Sequence, residues 1–282
     1  MKIALTQMDI VWEEKEKNKA VCERLVKEAA RHQAELIVFP EMTLTGFTMK
    51  PEKYGENQKN SKTERFFQTL SEKYKTAIIF GYIEEKEEHY YNMLAMTDGD
   101  KMLMKYAKIH PFSYGEESRH YSGGKSIESA RFQDLSIGGF ICYDLRFPEI
   151  FQISSKRSEV IFVIANWPES RVEHWSTLLK ARAIENQCYI VGVNRTGEGN
   201  GLYYQPSSMV FDPYGRKIEY REQKKGGYTD KTELLYAEIE AQVVRKYRKE
   251  FLVKADRREN LYRELNKNLS GFQVSFHLLH KS

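Results

Sequence analysis

Near-continuous Val/Ile/Leu/Phe segments alternating with stretches of helical periodicity predict an α/β protein whose mixed sheets are covered by helices on their outer faces. Three observations carry that prediction. "AELIVFPE", "TAIIFGYIEE" and "VIFVIANW" are apolar at successive positions, as strands buried on both faces must be. Residues 18–32 place apolar side chains at i, i+3 and i+4, the spacing of a helix with one buried stripe. "YYNMLAMTD" and "KMLMKYAKI" flank Asp98-Gly99-Asp100, a turn signal that joins two antiparallel strands and makes the sheets mixed.

Taken in order, "KIALTQMDI" reads as a strand, residues 18–32 as a helix and "AELIVFPE" as a second strand. "ERFFQTLSEKY" is a helix and "TAIIFGYIEE" a strand, followed by the hairpin. After "GGFICYDLRFPEI" the alternation resumes with a helix to about residue 157, the strand "VIFVIANW", a helix over 172–187 and the strand "YIVGVN". Two further strands, "SSMVFDP" and "ELLYAEI", precede a basic C-terminal helix. No Pro, Gly or Ser-rich linker divides the chain, so residues 1–258 read as one domain and 259–282 as an appended tail.

The chain has 282 residues, 41% hydrophobic and 30% charged, enough to bury a large core without metals or disulfides. Its 44 basic and 40 acidic residues leave +4 spread along the sequence, which makes no electrostatic case for nucleic acid. The basic run over 245–258 is interleaved with Glu250 and Asp256 and reads as a solvated helix face. No segment has the length and apolarity of a membrane span, and the first ten residues lack a signal peptide's apolar core, so a cytosolic location is expected. Cys22, Cys142 and Cys188 are an odd number with no short spacing, against a disulfide framework and against a zinc site.

Glu41 in "LIVFPEM", Lys108 in "KYAKIHPF" and Cys142 in "GGFICYDLRF" each stand where an apolar strand ends. Ligands of α/β sheets gather beyond the carboxyl ends of strands, so three polar groups from three elements have a place to converge. Singly each has an ordinary structural reading: a turn cap, a solvated lysine, a packed thiol. Together they form a chemically complete set. A thiol with an ordinary pKa of about 8.5 needs a base or a nearby cation to act as a nucleophile at neutral pH. Glu41 supplies the base and Lys108 the charge. Attack on an amide makes an oxyanion, for which the Lys108 ammonium and the Tyr143 backbone N–H are the donors at hand. A Cys–His hydrolase using His110 or His174 is the competing assignment, though neither histidine has an orienting partner at a recognisable spacing.

"FPEMTLTGF", "KYAKIHPF" and "GGFICYDLRFPE", in this order and at these separations, resemble the glutamate, lysine and cysteine motifs of the nitrilase superfamily of carbon–nitrogen hydrolases. The resemblance runs from residue 1 to about 251. It implies an αββα sandwich of two mixed sheets, subunits that pair as homodimers or higher homo-oligomers, and no metal or cofactor. It also implies a second glutamate between the lysine and cysteine motifs, for which Glu117 is the better match and Glu116 the competitor. "ANWPESRVEHWSTLLKARAIENQCYIVGVNRTG" is similar to the omega-amidase branch, whose substrates are small α-keto acid amides such as 2-oxoglutaramate and 2-oxosuccinamate. In the family this segment borders the pocket, which makes Asn166, Trp167 and Arg171, with Tyr143, candidates for substrate contact. Arg146 and Glu149 are expected to pair locally. N-carbamoyl amino acid hydrolysis on the same scaffold, or a binding protein that has lost turnover, are the alternatives.

Overall fold

The computed structural model describes residues 1–220, 222–225 and 232–269. In chain order the elements are β1 (Lys2–Gln7), α1 (Lys15–Arg31), β2 (Leu36–Val38), α2 (Pro51–Tyr54), β3 (Glu56–Asn57), α3 (Lys62–Tyr74), β4 (Ala77–Lys86), β5 (His89–Asp98) and β6 (Lys101–Ala107). Next come α4 (Glu117–His120), β7 (Ser129–Phe132), β8 (Leu135–Ile141), α5 (Pro148–Ser154), β9 (Val160–Ala165), α6 (Val172–Asn186) and β10 (Tyr189–Asn194). The hairpin β11 (Gly197–Gly199) and β12 (Leu202–Tyr204) leads to β13 (Met209–Phe211), β14 (Glu222–Lys225), β15 (Glu233–Glu238), α7 (Ala241–Glu250) and α8 (Glu259–Leu269).

Two mixed sheets face each other. One runs β14-β15-β1-β2-β4-β5-β6, with β3 beside β4, and the other β13-β10-β9-β8-β7. Strand alternation sorts their side chains into layers. Ile3, Leu5, Leu36, Val38, Ile79, Leu94 and Met104 meet Ile137, Ile141 and Ile164 between the sheets, while Ala4, Ile37, Ile78 and Phe80 point the other way, onto Leu25, Val26 and Ala29 of α1 and Phe67 of α3. The second sheet carries α5 and α6 on its outer face, and a methyl at Gly192 of β10 would strike Leu179 and Trp175 of α6. The expected αββα sandwich is therefore present. Each buried aliphatic side chain contributes about 1.5–3 kcal/mol relative to exposure, so this three-layer burial dominates stability.

The basic run over 245–258 departs from its expected role. The helix ends at Glu250, and several of its cations dock onto the body rather than facing water. Arg245 Nε bonds the Glu159 carboxylate at 2.6 Å, Arg248 donates to the carbonyls of Gln187 and Ser158, and Lys254 Nζ donates to Ser155 O at 2.7 Å. The free carbonyls at the C-terminal end of α6 and beside β9 explain the docking, since a buried carbonyl without a donor costs about 1–3 kcal/mol. Of the expected tail over 259–282, residues 259–269 form α8 and the remainder lies outside the described residues.

Candidate active site

Glu41, Lys108 and Cys142 leave the carboxyl ends of β2, β6 and β8, and the two sheets bring those ends together. Glu41 sits in the turn after β2, packed so closely on β4 that a Cβ at Gly81 would lie 2.5 Å from Met42 N and 2.9 Å from Glu41 Cα. Only glycine permits that approach. Thr43 closes the contact by donating its N–H to Gly81 O and accepting from Gly81 N at its hydroxyl. The residues following or forming the polar tips are strained: Met42 and Cys142 both hold φ of +46° without being glycine. Such conformations cost about 1–3 kcal/mol each and persist where the surroundings over-determine them.

Lys108 Nζ lies 3.0 Å from Glu41 Oε1 and 2.7 Å from Glu117 Oε2, with all three side chains essentially free of solvent. Asn92 Nδ2 ties the carboxylates together, donating to Glu41 Oε1 at 2.7 Å and Glu117 Oε1 at 2.9 Å. Glu117 Oε2 also accepts the Phe112 N–H at 2.6 Å. Glu116, by contrast, is exposed, holds φ of +64° and pairs with Arg119 on the surface. Of the two adjacent acids, it is Glu117 that lies against the lysine.

Charge balance follows from this packing. Burial works against the Lys108 ammonium, but Glu117 and Glu41 outweigh it and keep its pKa raised. Burial pushes Glu117 up, opposed by Lys108 and reinforced by Glu41. Burial also pushes the Cys142 thiol well above its ordinary range; Glu41 adds to that shift and Lys108 offsets part of it. The resting sulfur is therefore held as the thiol.

The expected contact residues divide by role. Asn166 holds Glu41: its N–H reaches Glu41 Oε2 at 2.8 Å and its Nδ2 donates to Glu41 O at 2.7 Å. Trp167 is buried and donates Nε1 to Arg171 O, fixing the turn before α6. Tyr143 is the second residue of the short 3-10 helix over Cys142–Arg146, in the first turn, where an N–H has no intrahelical acceptor. Cys142, Tyr143, Asn166, Trp167 and Arg171 all line one cavity of about 200 Å³. The Arg171 guanidinium lies 5.7 Å from the Phe112 ring and forms no ion pair among the described residues.

Arg146 does not pair with Glu149. It lines the same cavity, 5.0 Å from the Trp167 ring, with Nη2 3.3 Å from His174 Nδ1. Among the described residues, the cavity lining thus carries two guanidinium groups and no carboxylate. His110 does have an orienting partner, Asp144, at 2.8 Å from Nδ1. That carboxylate is shared with Tyr106 and the Ile141 N–H, which makes the pair a brace for the cysteine turn. Asn92, Phe47 (5.3 Å from Lys108 Nζ) and Tyr204 complete the site without having been singled out from the sequence. Asn92 had a signal, a lone amide inside the apolar run "YYNMLAMTD".

Residues 2–249 match the family model described as carbon-nitrogen hydrolase. The omega-amidase YafV of Yersinia enterocolitica is 32% identical over 89% of this chain and 94% of its own length. The 2-oxoglutaramate amidase of Bacillus subtilis is 29% identical over 92% and 98%. Among solved structures, a CN-hydrolase superfamily protein of Xanthomonas campestris with an arsenic adduct in its active site superposes with a TM-score of 0.81 at 26% identity, covering 91% of this chain and 97% of that one. The chain belongs to the carbon–nitrogen hydrolase family, the nitrilase superfamily, and is an enzyme of that class.

Proposed function

We propose that this enzyme hydrolyses the terminal amide of a small carboxylate-bearing substrate, as an omega-amidase does, through a thioester on Cys142. Glu41 takes the thiol proton as Sγ bonds to the amide carbon. The oxyanion faces the Lys108 ammonium and the Tyr143 N–H. Collapse breaks the C–N bond, and Glu41 returns its proton to the departing ammonia. Glu41 then deprotonates a water that attacks the thioester, and the proton goes back to the leaving sulfur. Glu117, with Asn92, holds Lys108 in place. Thiol, carboxylates and ammonium supply every group the cycle needs without a cofactor.

The observation that carries this reading is the pairing, in one cavity, of the Cys142 thiol with two guanidinium groups, Arg146 and Arg171. A buried substrate carboxylate needs a cation to offset its lost hydration, and a guanidinium provides a bidentate one. The relatives' named activities support the same substrate class. Ammonia release from 2-oxoglutaramate and from a short uncharged amide tests it. Arg171→Met should raise KM for 2-oxoglutaramate at least tenfold and leave the uncharged amide nearly unchanged. Equal losses on both would make Arg171 structural, and no ammonia from 2-oxoglutaramate with the unaltered enzyme would reject the substrate class.

We further infer a homodimer or higher homo-oligomer in the cytosol. Ile153 on α5, Ile184 on α6, and Phe251 and Leu252 after α7 are all exposed. Gln187, at the end of α6, donates to Phe251 O and ties the end of α7 to α6. A second copy is the occupant such a face fits. Three unpaired cysteines suit a reducing compartment.

A further inference from the structure

The β11–β12 hairpin ends on Tyr204, which lines the cavity beside Cys142 yet is only 2% exposed. Its hydroxyl makes no hydrogen bond to any described residue, so its donor is left for whatever fills the cavity. The ring itself is fixed. The Arg195 guanidinium lies 4.6 Å from its centroid, and Arg195, fully buried, is held by the carbonyls of Ile10, Glu198 and Thr196. Thr196 Oγ1 donates to Tyr204 O at 3.2 Å, fixing the backbone as well. A cation against the face withdraws electron density from the ring and makes the hydroxyl a better donor.

Burial pushes the phenol up to about 12, and the charges it feels come from Arg195, from Cys142 and Glu41, and from Arg171. Tyr204 lines the same cavity as Cys142 and as Arg171. The amide end has its donors in Lys108 and the Tyr143 N–H. The carboxylate end has its guanidinium groups. An α-keto acid amide carries one more oxygen, on the carbon chain between those ends, and that oxygen needs a donor when water is excluded.

We propose that the Tyr204 hydroxyl donates a hydrogen bond to the keto oxygen of the substrate, and so selects 2-oxo acid amides over plain ω-amides of the same length. This rests on the amidase reading above and adds a specificity-determining residue to it. The arrangement is pre-organised, because ring and backbone are held before substrate arrives. A site built around such a donor disfavours the analogue that leaves it unpaired.

The test compares 2-oxoglutaramate with glutaramate, the same chain without the keto oxygen, in the unaltered enzyme and in Tyr204→Phe. The phenylalanine keeps the ring and its contact with Arg195. The unaltered enzyme should prefer 2-oxoglutaramate in kcat/KM by about tenfold or more, and Tyr204→Phe should lose about that factor on 2-oxoglutaramate, mainly in KM, with glutaramate changed less than twofold. Equal losses on both substrates, or no loss on either, would overturn the proposal. Hydrolysis of neither substrate by a folded, unaltered enzyme would instead reject the amidase reading beneath it, and a circular-dichroism melt of the variant separates misfolding from lost recognition.

Discussion

Two clusters in this protein contain the same charges. Glu41, Lys108 and Glu117 meet around Asn92 between the sheets, while Glu64, Lys105 and Glu84 meet around the Tyr82 hydroxyl under α3. Their lysines are three residues apart. Met104 and Tyr106 point between the sheets, so strand alternation sends Lys105 to the opposite, helix-covered face and Lys108 to the inner one. In the outer cluster, burial and the two carboxylates push the Tyr82 phenol far up, and it remains a protonated donor. In the inner cluster the neighbouring group is a thiol with a cavity in front of it. Two carboxylates and a lysine are thus a way of satisfying buried charge in either place; the adjoining thiol and the access to a ligand separate a reaction centre from a staple.

Exchanging each lysine for methionine sharpens that contrast. Lys108→Met should reduce kcat by at least about 10²–10³, the cost of losing an oxyanion donor. Lys105→Met should leave kcat within about twofold and lower stability by about 1–2 kcal/mol, less than a fully buried pair would cost because Lys105 is partly exposed. Steady-state rates and urea melts measure both, and comparable losses of activity would erase the distinction.

A smaller effect is expected at the amide that joins the two inner carboxylates. Asn92→Leu removes one donor from each, and hydrogen bonds to charged groups contribute about 1.5–3 kcal/mol, so kcat should fall about tenfold or more with KM little changed. A change confined to KM would place Asn92 on the substrate instead.

An effect on stability alone, with none on activity, is expected at a third carboxylate, which is remote from the cavity. Burial works against Glu56, but Lys15, Ser61 and the Thr63 N–H hold its pKa down to about 2. A depressed carboxyl stabilises the fold above its unfolded value of 4.5 and loses that contribution as the pH falls toward about 2. Glu56→Gln should therefore cost on the order of 2–3 kcal/mol at pH 7 and flatten the stability curve between pH 5 and 2. Acid-limb melts of both proteins would show it.

Much of this was legible in the sequence because it follows from periodicity. Runs apolar on both faces mark strands, and the first polar residue after such a run marks where a strand reaches an edge, which is how Glu41, Lys108 and Cys142 stand out. Glu117 and its neighbour Glu116 are equal by composition; the positive φ of Glu116, a property of the turn, separates them. Asn92 and Tyr204 were not legible as site residues because a polar atom inside a strand, or a tyrosine at a hairpin end, acquires its partner only from distant elements. The basic run after β15 misled for a similar reason: whether a cation is solvated depends on which carbonyls the fold leaves unpaired beside it.

The covalent step is the centre of the account, and intact-protein mass spectrometry after acid quench during turnover of 2-oxoglutaramate addresses it directly. The enzyme should carry a transient mass equal to the substrate acyl group, mapped to the peptide containing Cys142 and absent from Cys142→Ala, which should also release no ammonia. Undiminished ammonia release by Cys142→Ala, or an acyl group mapped to Cys22, Cys188 or Lys108, would contradict it.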